Sequence, residues 1–295
     1  MSENNNMNSS PDASNPQAHH LGMHLAGVGS FITFRSYKQA GRLIIWKARE
    51  QRKGLLRVAR ALEHLPVPLW QTRRYNQAMG ATFAVGAFLF IVGSVLALLP
   101  DPSSALTAWT NLIFFLGSIP FTLAAYMQHF QAANTSKFTV APSEHPVRAP
   151  IRLLGWEPHE LGWLSTLTQF LGTLAFNVST LGAVQIANPW SLLDCVVWMP
   201  DMVGSVLFLV SAYLAFMEAN HALWKWHPKE LTWQIVFVNL VGCIAFMAAA
   251  CTAYVPEAGQ VQWVVAFSNG QLLIGAACFF IGALLSIRES RAADL

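Results

Sequence analysis

Charge is what this sequence has least of. Only 11% of its 295 residues are Asp, Glu, Lys or Arg, whereas a soluble domain carries about 25%. That deficit excludes a surface wetted all round. Cysteine is scarce too. The four present (Cys195, Cys243, Cys251, Cys278) show no CxxC spacing, which argues against a disulfide framework or a thiolate zinc site. They read as small apolar packing residues. The chain has no phosphate-cradling glycine loop, no GxGxxG opening a βαβ unit, no GxSxG elbow, no HExxH and no kinase signature set. Nothing in it implies a cofactor or a bound metal. An early apolar run of the signal-peptide kind is missing as well, since a polar and then a basic segment come first.

Long apolar runs fill the space. Six of them cover roughly 77–99, 108–127, 163–186, 198–218, 231–254 and 264–287. About 20 residues at 1.5 Å each cross the ~30 Å of hydrocarbon in a bilayer. A backbone in lipid must satisfy its own hydrogen bonds, so helices are the default. The expected fold is an all-α membrane protein of six transmembrane helices.

The eighteen Lys and Arg are sorted by connection. Eleven precede the first run. Lys137, Arg148 and Arg152 lie between the second and third, Lys225 and Lys229 between the fourth and fifth, and Arg288 and Arg291 after the sixth. The other connections hold none. Basic residues stay on the cytoplasmic side, so both termini are predicted cytoplasmic, in a bacterial inner membrane.

Residues 1–30 are rich in Asn, Ser, Pro and His and predict a disordered tail. Residues 31–75 hold eleven Lys and Arg against two acids, Glu50 and Glu63. Within them, Ile44, Ala48, Leu55, Ala59 and Leu62 share a narrow arc at helical spacing. The pattern predicts a basic amphipathic helix over 35–65 lying in the membrane interface, with anionic lipid headgroups as its partner. Nucleic acid is the competing reading of a basic patch. The position next to a span favours lipid and excludes nucleic acid as a partner.

The chain repeats itself. Trp156 to Trp163 and Trp226 to Trp233 share W-x-P-x-E-L-x-W, and 70 residues also separate Gln169 from Asn239, Gly172 from Gly242 and Phe176 from Phe246. Gly117-Ser118 and Gly204-Ser205, each with a following Phe and Tyr, are 87 apart, and Gly275 opens a looser third copy. Gly93-Ser94 fits the first span weakly. Three tandem helical hairpins explain these offsets. Small residues let helices approach in lipid, so Gly93, Gly117, Gly172, Gly204, Gly242 and Gly275 are candidate packing positions. Trp156, Trp163, Trp226 and Trp233 are candidate anchors at the headgroup level. Glu160 and Glu230 suit helix N-termini.

Polar groups inside the spans are the functional candidates. Asp201 leads, although its place in a first helical turn also suits a cap. Gln169 and Asn239, like Asp201, stand three residues before a glycine, and Asn177 adds polarity. Interhelical hydrogen bonding competes with a cavity at each. His129, Glu218, His221, His159, Glu160 and Glu230 gather at span ends on the basic side without metal-ligand spacing.

At the Gly-Ser pairs, at Gln169-x-x-Gly172-Thr173-x-x-Phe176-Asn177 and at Pro200-Asp201-x-x-Gly204-Ser205-x-x-Phe208, the chain resembles bacterial membrane proteins carrying YrhK-type domains. The resemblance covers about residues 77–290. It implies a small polytopic membrane protein and supplies no activity or catalytic residue. The first reading is therefore a structural or accessory membrane protein without enzymatic activity, working with a membrane-protein partner or as a homo-oligomer. The second is a transporter of a small solute, proton or ion using polar groups of spans three to five. A lipid-modifying enzyme lacks an identifiable nucleophile.

Overall fold

Six helices are long and apolar enough to cross a membrane: Arg73–Ala97, Ser104–Ala133, Leu161–Gln185, Trp190–Asn220, Leu231–Thr252 and Gln262–Ala292. They are numbered here as the first to sixth spans. The computed structural model describes residues 24–39, 42–55, 67–100, 103–135, 150–185, 189–257 and 259–292. Each span packs on its neighbours in sequence, and the sixth closes on the first. The result is an up-and-down ring of three hairpins around one axis.

One contact, made three times, builds the hairpins. Every span carries Gly-x-x-x-Phe: Gly86/Phe90, Gly117/Phe121, Gly172/Phe176, Gly204/Phe208, Gly242/Phe246 and Gly275/Phe279. Within a hairpin each glycine receives the phenylalanine of the other helix. A Cβ placed on Gly172 would stand 2.6 Å from the Phe208 ring, and one on Gly86 2.7 Å from Phe121. One on Gly117 would meet Phe90 at 2.9 Å. The span-one member of the repeat is thus Gly86, whereas Gly93 packs on Phe114. Apolar burial drives no association in lipid, so close backbone approach must do it.

The six rings meet on the axis. Centroids within hairpins are 5.5, 4.9 and 5.1 Å apart for Phe90–Phe121, Phe176–Phe208 and Phe246–Phe279. Between hairpins, Phe90–Phe246, Phe176–Phe246, Phe121–Phe279 and Phe208–Phe279 lie at 5.9–6.1 Å. Most are edge-to-face, the arrangement the ring quadrupole favours.

The fourth span opens irregularly. A π-helical turn at Asp194–Trp198 precedes Pro200. Proline supplies no N–H to the ladder, and a widened turn is a common way to absorb that defect.

The N-terminal arm corrects the expected interfacial helix. Residues 24–47 form an antiparallel sheet, β1 (His24–Val28), β2 (Phe31–Gln39) and β3 (Arg42–Lys47), in that order. Among the described residues of the arm only Ala48–Lys53 is helical (α1), and Gly54, at φ 71°, ends it; residues 56–65 of the expected helix lie outside the described residues. The alternating aromatic and β-branched residues of FITFRSY and RLIIWK suit a pleated pair better than a helix. Of the predicted arc, Ile44 falls in β3 and Ala48 opens α1, while Ala59 and Leu62 lie outside the described residues. The disordered tail expected over 1–30 includes β1, and residues 1–23 are outside the described residues.

The glycine–phenylalanine lock is testable as a coupled pair. Gly172→Leu overpacks the contact and is expected to cost about 1–3 kcal/mol, read as a lower Tm in detergent. Phe208→Ala in the same chain should recover part of that loss. Gly270→Ala, where an added Cβ meets nothing within 4 Å, should leave the Tm unchanged or raise it.

Candidate functional site

The phenylalanine layer divides the axis into two chambers. On the arm side, a cavity of ≈110 Å³ is floored by Phe121, Phe208 and Phe279. On the far side, one of ≈260 Å³ is floored by Phe90, Phe176 and Phe246. A residual space of ≈10 Å³ lies within the layer itself.

Helical spacing decides what each chamber sees. The position three before each glycine faces the axis. In odd spans it is Phe83, Gln169 and Asn239, all lining the arm-side chamber. In even spans it is Phe114, Asp201 and Leu272, all lining the far chamber. Because odd and even spans run in opposite directions, Gln169 and Asn239 do not converge with Asp201. The aromatic layer separates them. Asn177 joins neither chamber, and its Nδ2 donates to Thr122 Oγ1 at 2.8 Å, tying the third span to the second. Asp201 is no helix cap. The helix already starts at Trp190, and among the described residues Asp201 makes no hydrogen bond or ion pair. The carboxylate at this end of the span that does bond is Asp194, which accepts from Val255 N, just past the fifth span.

The arm-side chamber is stoppered. Ten residues after its phenylalanine, each even span presents a polar group at the mouth, Gln131, Glu218 or Glu289, and all three are buried. The arm meets both carboxylates directly and Gln131 through Asn76. Arg52 grips Glu218 with both terminal guanidinium nitrogens, the longer bond being 2.8 Å. Arg49 does the same to Glu289 at 2.6 and 3.0 Å, and Lys53 Nζ reaches the same carboxylate at 2.8 Å. Gln131 Nε2 donates to Trp70 O and to Asn76 Oδ1. Asn76 Nδ2 in turn donates to Lys53 O at 2.8 Å. Thr33 bonds the His221 ring at 2.8 Å and docks the sheet on the end of the fourth span. Burial lowers the Lys53 ammonium to about 8, with the Arg49 charge adding to the shift. Burial likewise lowers His221, helped by Lys47, to about 4.

These contacts revise several sequence expectations. Arg49, Arg52 and Lys53 are spent on carboxylates of the bundle, so they are not offered to anionic headgroups. Trp156 and Trp226 are 75% and 58% exposed, whereas Trp163 and Trp233 are buried. Their indole N–H groups donate to Leu154 O and Lys225 O, closing equivalent loops. Among the described residues no three His, Cys, Asp or Glu side chains could hold a metal together. His129 bonds Thr166 and the Leu154 carbonyl instead. Sequence reasoning missed the six-phenylalanine layer and Glu289. The signal for the first was the recurrence of Gly-x-x-x-Phe in all six spans. For the second it was the shared spacing of Gln131, Glu218 and Glu289 from those phenylalanines.

No family model, curated protein or solved structure matches the chain.

Removing one partner of a buried ion pair strands the other, at a cost of about 3–5 kcal/mol. Glu218→Gln is therefore expected to undock the arm while leaving the ring folded. Limited proteolysis should then cut within 24–55, with the six-span fragment intact. The pH dependence has a definite sign. Lys53 sheds its proton near pH 8 when folded and near 10.5 when free. The unfolded form binds more protons between those values, so stability rises with pH across that window and the gain is absent below it. Tm measured at pH 7 and pH 9.5 should show the rise in the parent chain and a smaller one in Lys53→Met.

Proposed function

We propose that this protein is a gated conduit for small polar solutes across a bacterial cytoplasmic membrane. Of the readings open from the sequence, the geometry favours translocation over a scaffold. The observation that carries this is the pair of chambers meeting end to end at an aromatic layer on the axis of a closed ring. A packing scaffold gains nothing from axial cavities, since each forfeits contacts. The unspent side chains support it as well. Gln128, Gln169 and Asn239 line the arm-side chamber without a hydrogen-bond partner among the described residues.

Two barriers stand in series. The phenylalanine layer presents no dipole to replace a solute's hydration, so a hydrated solute passes only when the rings part. The arm is the second. Docked, it sets three cations against Glu218 and Glu289, and the mouth is left with one excess positive charge. Undocked, the same mouth carries only the two carboxylates and Gln131. Arm movement would thus reverse the sign of the charge at the entrance. The arm side is assigned to the cytoplasm because basic residues remain there. Kinship with YrhK-type membrane proteins is proposed on the same glycine and phenylalanine positions.

Proteoliposomes loaded with purified protein test the reading. Stopped-flow shrinkage would be followed for a panel of urea, glycerol, acetamide and methylammonium. At least one solute is expected to enter faster than in protein-free vesicles. Phe246→Ala and Glu218→Gln should each raise that rate several-fold, and Gln169→Leu should lower it. Equal rates in protein-free vesicles and in vesicles with either gate variant would leave the scaffold reading standing.

A further inference from the structure

The far chamber carries more chemistry than a passage needs. Most of its hydrogen-bond donors are committed to backbone carbonyls, the Ser179 hydroxyl and one N–H each of Asn111 and Asn269 being left over. Asn111 Nδ2 donates to Ala183 O at 2.8 Å and Asn269 Nδ2 to Ala97 O at 3.3 Å. Gln260 Nε2 donates to Tyr254 O at 2.7 Å and Thr252 O at 3.2 Å. The Trp198 indole, Ser268 and Thr180 likewise donate to carbonyls. A carbonyl only accepts, so the atom facing it in each amide is the nitrogen. What remains unspent is mainly acceptor oxygen: three amide oxygens and the Asp201 carboxylate, which has no partner among the described residues. No Lys or Arg lines the chamber, and aromatic faces make much of its wall.

We infer that the far chamber is a binding site for a small primary alkylammonium cation. Its three N–H donors match the unspent acceptors, its charge matches Asp201, and its carbon chain suits Phe90, Phe114, Phe176 and Trp198. Aromatic faces attract such cations through the ring quadrupole. An anion would face the Asp201 carboxylate with no Lys or Arg to offset it. A bare alkali ion would find aromatic carbon where it needs a shell of oxygens, the ligands hard cations take. The chamber's ≈260 Å³ admits a cation of a few carbons. As the substrate class of the conduit this rests on the translocation reading; as a binding site it stands on the chamber alone.

Isothermal titration of the full chain in detergent with ethylammonium chloride tests it, against potassium chloride at equal ionic strength and against neutral propionamide. Saturable binding of ethylammonium is expected, with none for propionamide. Asp201→Asn should weaken it at least tenfold, as expected for losing a charged hydrogen-bond partner. Asn269→Leu should weaken it several-fold, a second handle if Asp201→Asn fails to fold. Unchanged affinity in a folded Asp201→Asn, full competition by potassium, or no heat with the parent chain would each overturn the inference. Binding without flux in vesicles would sink the conduit and spare the site. Flux of neutral solutes without ethylammonium binding would do the reverse.

Discussion

Everything in this bundle depends on how closely two helices can approach when water cannot push them together. Lipid tails solvate a leucine as well as another helix does, so association must come from contact itself. A glycine removes the obstacle, and a phenylalanine four residues later fills the gap on the partner. The exchange is reciprocal within each hairpin, which fixes both depth and rotation. Rotation in turn aims all six rings at a common axis. A ring of six helices is too wide to be filled by its side chains at every level. The rings fill it at one level and leave space on either side.

The arm obeys different physics. Its ion pairs are bidentate and buried, but burying charge costs about what the pairing returns. Such contacts are poor glue and good specificity devices: the arm fits only where Glu218 and Glu289 sit. Backbone satisfaction completes the fit, since Asn76 covers the Lys53 carbonyl that the early stop at Gly54 leaves bare and Gln71 adds a second donor to the Gln51 carbonyl. A stopper held mainly by compensated charge can leave at modest cost, provided water reaches both partners. Glycine again supplies the room, because at Gly162 a Cβ would occupy the place of the Arg52 guanidinium.

Most of the scaffold could be read from residue order. Span limits follow from length and hydropathy, and the hairpin repeat from constant offsets. The first repeat unit was obscured because Gly93-Ser94 looks more like the other Gly-Ser pairs than Gly86-Ala87 does. Yet Gly86 has the phenylalanine at the right spacing. Asp201 was misplaced for a local reason: Pro200 beside it signals a helix start, while the π-helical turn lets the helix begin ten residues earlier at Trp190. The arm was misread because its Lys and Arg spacing suits a helix and its aromatic and β-branched residues suit strands. Long-range pairing decided the matter. That Glu289 meets Arg49 across 240 residues has no local signature at all.

The two chambers also show where symmetry ends. Glycine and phenylalanine recur at one packing level in all six spans, so the repeat is strict at that level. Three residues before each glycine, on the axis, the six spans present Phe83, Phe114, Gln169, Asp201, Asn239 and Leu272. The first hairpin is aromatic at both its axial positions, the second polar at both, and the third is split. A structure needed only for packing would have no reason to vary there, since one apolar residue would serve all six places. Divergence at these axial positions is what the proposed conduit would use, since each hairpin then presents a different group to the axis. The second hairpin, with an amide in one chamber and a lone carboxylate in the other, is the one that on the proposed reading would hold a polar solute on both sides of the aromatic layer.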